Sequence, residues 1–193
     1  MKRILSILLC AVLVFSLAGC SLGVKKGELG QTYTNNGFEF TLNRVEFAEV
    51  IDGWGGANDN YWTPLKEETY VQNRWSFEEY LMQYGLKPKD DDDRIVFVSF
   101  TVKNVAEYNN TVSNGGVVKF DNDKEYDDGG LSYRRTPTAV WNDLPSGIAL
   151  RDGQEDAYEF RAYIIVPKEV VESDKPLTYK LFGITFDLRQ IAS

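Results

Sequence analysis

Residues 95–103 read IVFVSFTVK, and this stretch decides the fold class. Its even-numbered residues are all apolar, so an extended backbone places them together on one face of a strand. Ile95 and Phe97 make the first half apolar on the opposite face as well. A strand that is apolar on both faces is typical of the middle of a sheet. We therefore predict a central strand here, with Val98 and Phe100 in the core.

The same two-residue period recurs before and after this stretch, which predicts further strands. Alternating apolar positions occupy residues 38–47, 117–126, 158–166 and 177–188. The apolar phase shifts by one residue after Asn43, which predicts a β-bulge, and Gly183 predicts a bulge or a tight turn. The strand–helix–strand rhythm of an α/β fold is missing from the pattern. These features predict an all-β fold, an antiparallel Ig-like β-sandwich.

Composition excludes several classes of function. The chain has 193 residues and a net charge of −8, so it repels the phosphates of nucleic acids. It contains no His, and its two Cys are Cys10 and Cys20. Catalytic triads and metal sites that depend on His are therefore excluded. We expect no enzymatic activity, no cofactor, no metal and no nucleic-acid partner.

The first residues have the pattern of an export signal. Lys2 and Arg3 precede an apolar run that ends at Gly19. A helix of that length spans roughly 24 Å, which is shorter than a hydrocarbon core of about 30 Å. A basic start, a short apolar segment and small residues at its end are typical of a secretory signal peptide. We assign the signal peptide to residues 1–19.

The end of this signal resembles the lipobox of bacterial lipoproteins, because it reads Leu17-Ala18-Gly19-Cys20. In that family a diacylglycerol is attached to the Cys thiol, and a dedicated signal peptidase then cuts just before the Cys. The resemblance implies that Leu17, Ala18 and Gly19 are recognised by the peptidase and that Cys20 is lipidated. We expect the mature chain to be anchored to the cell membrane through Cys20, on the extracytoplasmic face.

Residues 20–30 are predicted to be the lipidated Cys followed by a tether. Three Gly and no hydrophobic period occur between residues 21 and 30. A flexible chain of this length reaches about 18 Å, so the domain would lie close to the bilayer. Lys25 and Lys26 would then either meet anionic headgroups or belong to a merely solvated linker.

Residues 52–93 interrupt the strand pattern and are predicted to be an insertion in a domain that covers residues 31–193. Ser76 and Glu79 have the spacing of a capping box, and an apolar stripe follows them. We predict a helix over residues 76–84 that stops at a left-handed Gly85.

The insertion is rich in aromatic residues, which either bind a partner or pack the insertion onto the sandwich. Phe77, Tyr80 and Tyr84 are assigned to packing because they lie on the apolar stripe of the helix. The candidate ligand-binding residues are Trp54, Tyr61, Trp62 and Trp75.

Two acidic segments have carboxylates that could in principle bind calcium. Residues 121–125 begin like an EF-hand loop, but Tyr126 and Ser132 stand where that loop needs Gly and Glu. We interpret the segment as a hairpin turn. Residues 90–93 are interpreted as a solvated acidic loop that precedes an aggregation-prone strand.

Residues 33–47, 97–104, 119–121 and 160–167 resemble the bacterial Ig-like lipoprotein domain family of unknown function. That family is similar in fold to small secreted immunogenic Ig-like proteins. The resemblance implies an Ig-like sandwich and brings no catalytic set of residues. We expect a non-enzymatic surface module that binds an envelope protein or a glycan. The alternative is a structural or accessory envelope lipoprotein with no ligand of its own.

Overall fold

The structure is a computed structural model that describes residues 25–53, 62–71, 74–135, 137, 139, 141–144, 147–153 and 155–191. Strands dominate this part of the chain. They are β1 (Lys26–Gly27), β2 (Thr32–Asn35), β3 (Phe38–Ala48), β4 (Ile51–Asp52), β5 (Gly85–Leu86), β6 (Asp93–Asn104), β7 (Asn110–Val112), β8 (Val117–Phe120), β9 (Lys124–Arg134), β10 (Asn142–Asp143), β11 (Ile148–Leu150), β12 (Tyr158–Pro167), β13 (Leu177–Leu181) and β14 (Ile184–Asp187). The α-helices are Phe77–Tyr84, Lys168–Glu172 and Leu188–Ile191, and a 3₁₀ turn covers Glu67–Thr69.

Ten strands are hydrogen-bonded in the order β1-β14-β13-β8-β9-β12-β6-β3-β2, with β10 attached to β9. The first part of β9 pairs with β8, whereas its second part pairs with β12. The sheet therefore folds over at β9 into two layers. We call the layer of β12, β6, β3 and β2 the first sheet, and the layer of β8, β13, β14 and β1 the second sheet. The predicted all-β sandwich is confirmed, and the neighbours on this path are antiparallel except for the parallel pair β1–β14.

Two glycines allow β9 to pass from one layer to the other. The pairing with β12 slips by one residue between Tyr163 and Ile164. At Gly130, a Cβ would lie 2.7 Å from the Tyr163 ring and 2.9 Å from the Trp62 ring. A side chain at Gly129 would also overlap the Tyr163 ring. The bend therefore needs residues without a Cβ, because an aromatic ring lies directly on the backbone.

The core lies between the two sheets, and β6 is central as predicted, with β12 on one side and β3 on the other. Phe100 is fully buried and stacks on Phe160 with ring centroids 5.2 Å apart. Phe182, at the turn between β13 and β14, places its edge against Phe100 at 6.3 Å. These contacts connect the middle of the first sheet to a corner of the second sheet.

Local turn and bulge predictions agree with the structure. The register between β3 and β6 shifts between Leu42 and Arg44, where the sequence predicts a bulge. The β13–β14 hairpin turns at Phe182 and Gly183, both of which have positive φ. Such a two-residue turn matches the twist of the strands that it joins, which accounts for Gly183. Residues 121–123 form the turn between β8 and β9, as the hairpin interpretation requires.

The helix of the insertion runs over Phe77–Tyr84, but the conformation of the residue that follows it differs from the prediction. Gly85 is not left-handed: its φ is −72° and its ψ is 133°, and it begins β5. It is small for a different reason, because a Cβ would lie only 2.8 Å from the Leu81 carbonyl oxygen. The chain therefore leaves the helix directly into a strand.

The predicted tether is partly paired with the sandwich. Lys26 and Gly27 form a parallel pair with Thr185 and Phe186 of β14, and the Thr185 N–H donates to the Lys25 carbonyl at 2.9 Å. A side chain at Gly27 would overlap Phe186, so this pairing needs glycine. The coil predicted over residues 21–30 is therefore interrupted at Lys26 and Gly27, which belong to the second sheet. In the part of the chain that the structure describes, no helix is long and apolar enough to cross a bilayer.

The insertion covers the outer face of the first sheet. Trp62 lies there in a small cluster that is separate from the main core. The buried members of this second cluster are Ile51, Trp62, Ile95, Phe97 and Trp141. Ile95 and Phe97 therefore have an apolar outer environment, which explains why the first half of β6 is apolar on both faces.

Candidate functional site

A buried carboxyl group at the start of the insertion holds β4 to the insertion's helix. Asp52, at the end of β4, is only 2% exposed, and the Tyr80 hydroxyl donates a hydrogen bond of 2.8 Å to its Oδ2. The Gly53 N–H donates to the Tyr84 carbonyl at 3.0 Å, and the Trp62 N–H donates to the Asp52 carbonyl at 2.6 Å. Burial, and then the hydrogen bond to Asp52, raises the pKa of the Tyr80 hydroxyl well above its usual value. Tyr80 therefore stays protonated and acts as the donor.

The predicted capping box fixes where the helix starts. The Ser76 Oγ accepts from the Glu79 N–H at 3.2 Å, and the Glu79 Oε2 accepts from the Ser76 N–H at 2.8 Å. The second bond, together with the side-chain bond to Ser76, lowers the pKa of the Glu79 carboxyl. This reciprocal capping sets the helix register and so places Tyr80 and Tyr84 one turn apart.

Five aromatic rings form a chain across the surface of the insertion. Successive ring centroids are 5.3 Å apart for Phe77 and Tyr70, 5.2 Å for Tyr70 and Tyr80, 5.1 Å for Tyr80 and Tyr84, and 6.0 Å for Tyr84 and Trp75. The Tyr70 hydroxyl donates to the Trp75 carbonyl at 3.0 Å and closes the cluster. We call Tyr70, Trp75, Phe77, Tyr80 and Tyr84 the aromatic cluster.

The aromatic cluster is buried at its inner end and exposed to solvent at its outer end. Tyr80 is buried, Tyr70, Phe77 and Tyr84 are half-buried, and Trp75 is 37% exposed. Rings that are held in place by neighbours and still expose one face can stack on a sugar or on an apolar or cationic protein side chain. Phe77 and Tyr84, which the sequence assigns to packing, thus contribute to an accessible surface as well.

Acidic residues outnumber basic ones beside the aromatic cluster, where Lys66 and Arg74 are the neighbouring cations. Glu67 and Glu68 lie in the 3₁₀ turn just before Tyr70, and Glu78 and Glu79 lie in the first turn of the helix. After desolvation, the charge of Glu79 is the next cause of a raised pKa at the Tyr70 hydroxyl. Such a rim repels anionic partners and favours neutral or basic ones.

Of the predicted ligand-binding residues, the structure places Trp75 at the surface and Trp62 in the interior. Trp62 is 8% exposed and meets Tyr163 edge to face with centroids 5.2 Å apart. Its role in this structure is therefore packing within the second cluster. Trp54 and Tyr61 lie outside the residues that the structure describes.

The fourth tryptophan was missed by the sequence reasoning. Trp141 is buried, and the guanidinium carbons of Arg161 and Arg134 lie 4.1 Å and 4.7 Å from its ring centroid. Arg134 is also paired with Glu159 at 2.5 Å. Arg134 thus contacts both the Trp141 ring and the Glu159 carboxylate, so these residues form a structural network of the first sheet. A lone Trp within the polar stretch 135–147 is the one signal that could have indicated it.

An acidic pocket of about 180 Å³ lies where the insertion returns to β6. Its walls include Glu49, Asp90, Asp91 and Asp93, but also Lys87 and Arg94. Arg94 is paired with Glu49 at 3.1 Å, which neutralises part of the acidic charge. Among the described residues, no group of three or more acidic or sulfur ligands has the arrangement of a metal site.

Comparisons with known proteins support the fold. No family model matches the chain, and no curated protein matches it. The chain is similar to the crystal structure of an uncharacterized β-sandwich protein from Clostridium difficile, with a TM-score of 0.51 and 15% identity over 85% of this chain and 92% of that one. A weaker likeness, with a TM-score of 0.35 and 14% identity, links 80% of this chain with 81% of the yjhA protein from Bacillus subtilis. The first of these similarities supports an all-β sandwich for this chain.

Proposed function

We propose that this chain is a lipid-anchored, extracytoplasmic Ig-like lipoprotein that acts as a non-enzymatic interaction module. Residues 17–20 support the anchor, because only a Cys supplies the thiol that the lipobox chemistry modifies. The open face of the aromatic cluster supports the interaction. It is the single observation that carries the binding proposal, because the cluster is fixed from beneath by the Tyr80–Asp52 bond and remains exposed at Trp75.

The anchor is tested by Cys20→Ala. Each CH₂ of an acyl chain that is buried in the bilayer contributes about 0.8 kcal/mol of binding free energy, so two chains give stable attachment. Loss of the chains should therefore release the protein. Metabolic labelling with a fatty-acid probe should mark the native chain and leave Cys20→Ala unlabelled and in the soluble fraction. Cys10→Ala is the matched control, because it removes the only other thiol of the chain. Equal labelling of native protein and Cys20→Ala would refute the anchor.

The partner of the aromatic cluster is proposed to be a glycan or a protein surface that is neutral or basic. Aromatic rings stack on the apolar faces of sugars and on Arg side chains, and they dominate the energetics of many interfaces. The acidic rim disfavours anionic polymers. The proposal therefore favours uncharged polysaccharides or basic protein patches of the envelope.

The binding proposal is tested by Trp75→Ala, in separate captures from purified cell-wall polysaccharide and from solubilised envelope proteins. Truncating an anchor ring typically costs at least about 2 kcal/mol, so binding should fall by about 30-fold. Met82→Ala is the matched control, because Met82 is 81% exposed on the same helix and is not an aromatic residue of the cluster. Equal capture of native protein and Trp75→Ala would remove the support for this site.

The second candidate function, an accessory lipoprotein with no ligand, is favoured by one observation. Trp62 and the second cluster show that the insertion covers apolar residues of β6 and β12. Shortening residues 52–93 would uncover Ile95 and Phe97, so aggregation of a shortened chain would report lost packing as well as lost binding. Single substitutions in the aromatic cluster separate the two functions more cleanly than a deletion does.

A further inference from the structure

The outer face of the second sheet carries a group of lysines in an open groove. The groove has a volume of about 860 Å³ and is formed by β1, β8, β13 and β14. Lys25, Lys26, Lys119 and Lys180 line it, together with Glu28 and Asp187. We call this surface the lysine groove.

The strand register places these lysines on one face. Lys26 is paired with Thr185, and Thr185 is paired with Lys180, so the three side chains lie in one row across three strands. Neighbouring strands are about 4.8 Å apart, which puts Lys26 and Lys180 about 10 Å from each other. Lys119 lies in the next row, beside Thr178. Lys25, Lys26 and Lys180 are exposed.

The charge of the lysine groove is opposite to that of the chain as a whole. Four lysines and two acids line the groove, whereas the chain carries 21 basic and 29 acidic residues. Lys119 is engaged by Glu125 in an ion pair, which leaves Lys25, Lys26 and Lys180 as the main source of positive charge. An anionic surface would therefore repel most of the molecule and attract this face.

The lysine groove also lies where the chain approaches its proposed anchor. Lys25 lines the groove and is five residues from Cys20. A peptide of that length spans at most about 18 Å when fully extended. A lipid on Cys20 thus holds the bilayer surface within that distance of Lys25.

We propose that the lysine groove lies against the anionic phospholipid headgroups of the membrane that holds Cys20; this inference rests on the proposed lipid anchor. The groove belongs to the outer face of the second sheet, whereas the insertion covers the outer face of the first. The orientation therefore directs the aromatic cluster away from the bilayer. With Lys119 paired to Glu125, three lysines and two acids leave the groove a net charge of +1, which favours this orientation at an anionic membrane surface by about fivefold.

The test uses the full lipidated protein, reconstituted into vesicles of phosphatidylglycerol or of phosphatidylcholine, and lysine acylation read by mass spectrometry. On phosphatidylglycerol vesicles, labelling of Lys180 and Lys26 should fall at least about fivefold relative to phosphatidylcholine. Lys87 and Lys89 are exposed residues of the insertion, so their labelling should stay unchanged. High salt should abolish the difference, because it screens surface charges.

In the native protein, phosphatidylglycerol should also protect Lys119 from acylation. The double variant Lys26→Gln with Lys180→Gln should lose this protection at Lys119. The matched control, Lys87→Gln with Lys89→Gln, should keep it. Equal labelling on both lipids, or the same protection by inorganic phosphate on phosphatidylcholine, would overturn the headgroup assignment.

The mass of the N-terminal peptide separates the two proposals. A lipid on Cys20 without protection refutes the groove alone, and a Cys20 without lipid refutes the anchor and the groove together.

Discussion

Tyr80→Phe removes one oxygen atom and tests what holds the helix of the insertion to β4. The hydroxyl is the donor to Oδ2 of buried Asp52, at 2.8 Å. The ring itself keeps its contacts with Tyr70 and Tyr84, at 5.2 Å and 5.1 Å, so the aromatic packing is retained. The variant thus isolates the hydrogen bond from the packing.

The expected cost follows from leaving a buried acceptor without this donor. Such a loss costs about 1–3 kcal/mol, which corresponds to about a 5- to 150-fold rise in the opening constant of the affected region. We expect the effect to be local, because the bond joins β4 to the helix and does not touch β6 or β12. The insertion should therefore open more often while the sandwich stays closed.

Native-state hydrogen exchange distinguishes the two regions. The amides of Gly53 and Trp62, which donate to the Tyr84 and Asp52 carbonyls, report on the insertion. The amides of Val98 and Phe100, in the centre of β6, report on the sandwich. In Tyr80→Phe the first pair should exchange about 5- to 150-fold faster, and the second pair should be unchanged.

Tyr108→Phe is the matched control, because Tyr108 is 62% exposed and the same oxygen is removed from the surface. It should change neither pair of amides. Equal acceleration of all four amides in Tyr80→Phe would rule out a local opening, because it would show that the insertion and the sandwich open together. No acceleration at Gly53 and Trp62 would show that the Tyr80–Asp52 bond does not hold β4 to the helix.

Three further predictions concern stability. Phe100→Ala should cost about 3–5 kcal/mol in urea unfolding, because it removes a stacked, fully buried ring, and an unchanged midpoint would contradict that core assignment. Gly130→Ala should cost about 1–3 kcal/mol, since its Cβ would meet the Tyr163 and Trp62 rings; a neutral result would show that the rings move at no cost. The raised pKa of Tyr80 contributes stability that is complete below about pH 10 and is lost above it, because the unfolded phenol ionises first. Unfolding curves at rising alkaline pH should therefore show the native protein losing more stability than Tyr80→Phe, and parallel losses would disprove the linkage.

The features that could be predicted from the sequence are those with local signals. The two-residue period identified β6 and its inner face, and the shift after Asn43 located the bulge in β3. Ser76 and Glu79 located the helix start to within one residue. In each case the deciding interactions lie within a few positions along the chain, so the pattern of residue types is sufficient.

The features that were missed depend on partners that are distant in the chain. The pairing of Lys26–Gly27 with β14 joins residues about 160 positions apart, and a two-residue strand has no hydrophobic period of its own. The different exposure of Trp62 and Trp75 also depends on neighbours that the sequence pattern does not show. Trp62 is buried because Tyr163 lies beside it, and Trp75 stays at the surface because its neighbours leave one face open.

The parallel pairing of β1 with β14 would have a mechanical consequence for the lipid anchor that we propose at Cys20. A pull from the direction of Lys25 acts first on a strand of only two residues, whose contacts with the sheet are few. That strand would peel from β14 under a load that the long ladder between β3 and β6 easily resists. Once released, residues 25–30 could extend to at most about 20 Å while the sandwich remains intact. Under such a load β1 would therefore detach first, and the folded domain would unfold only at a higher force.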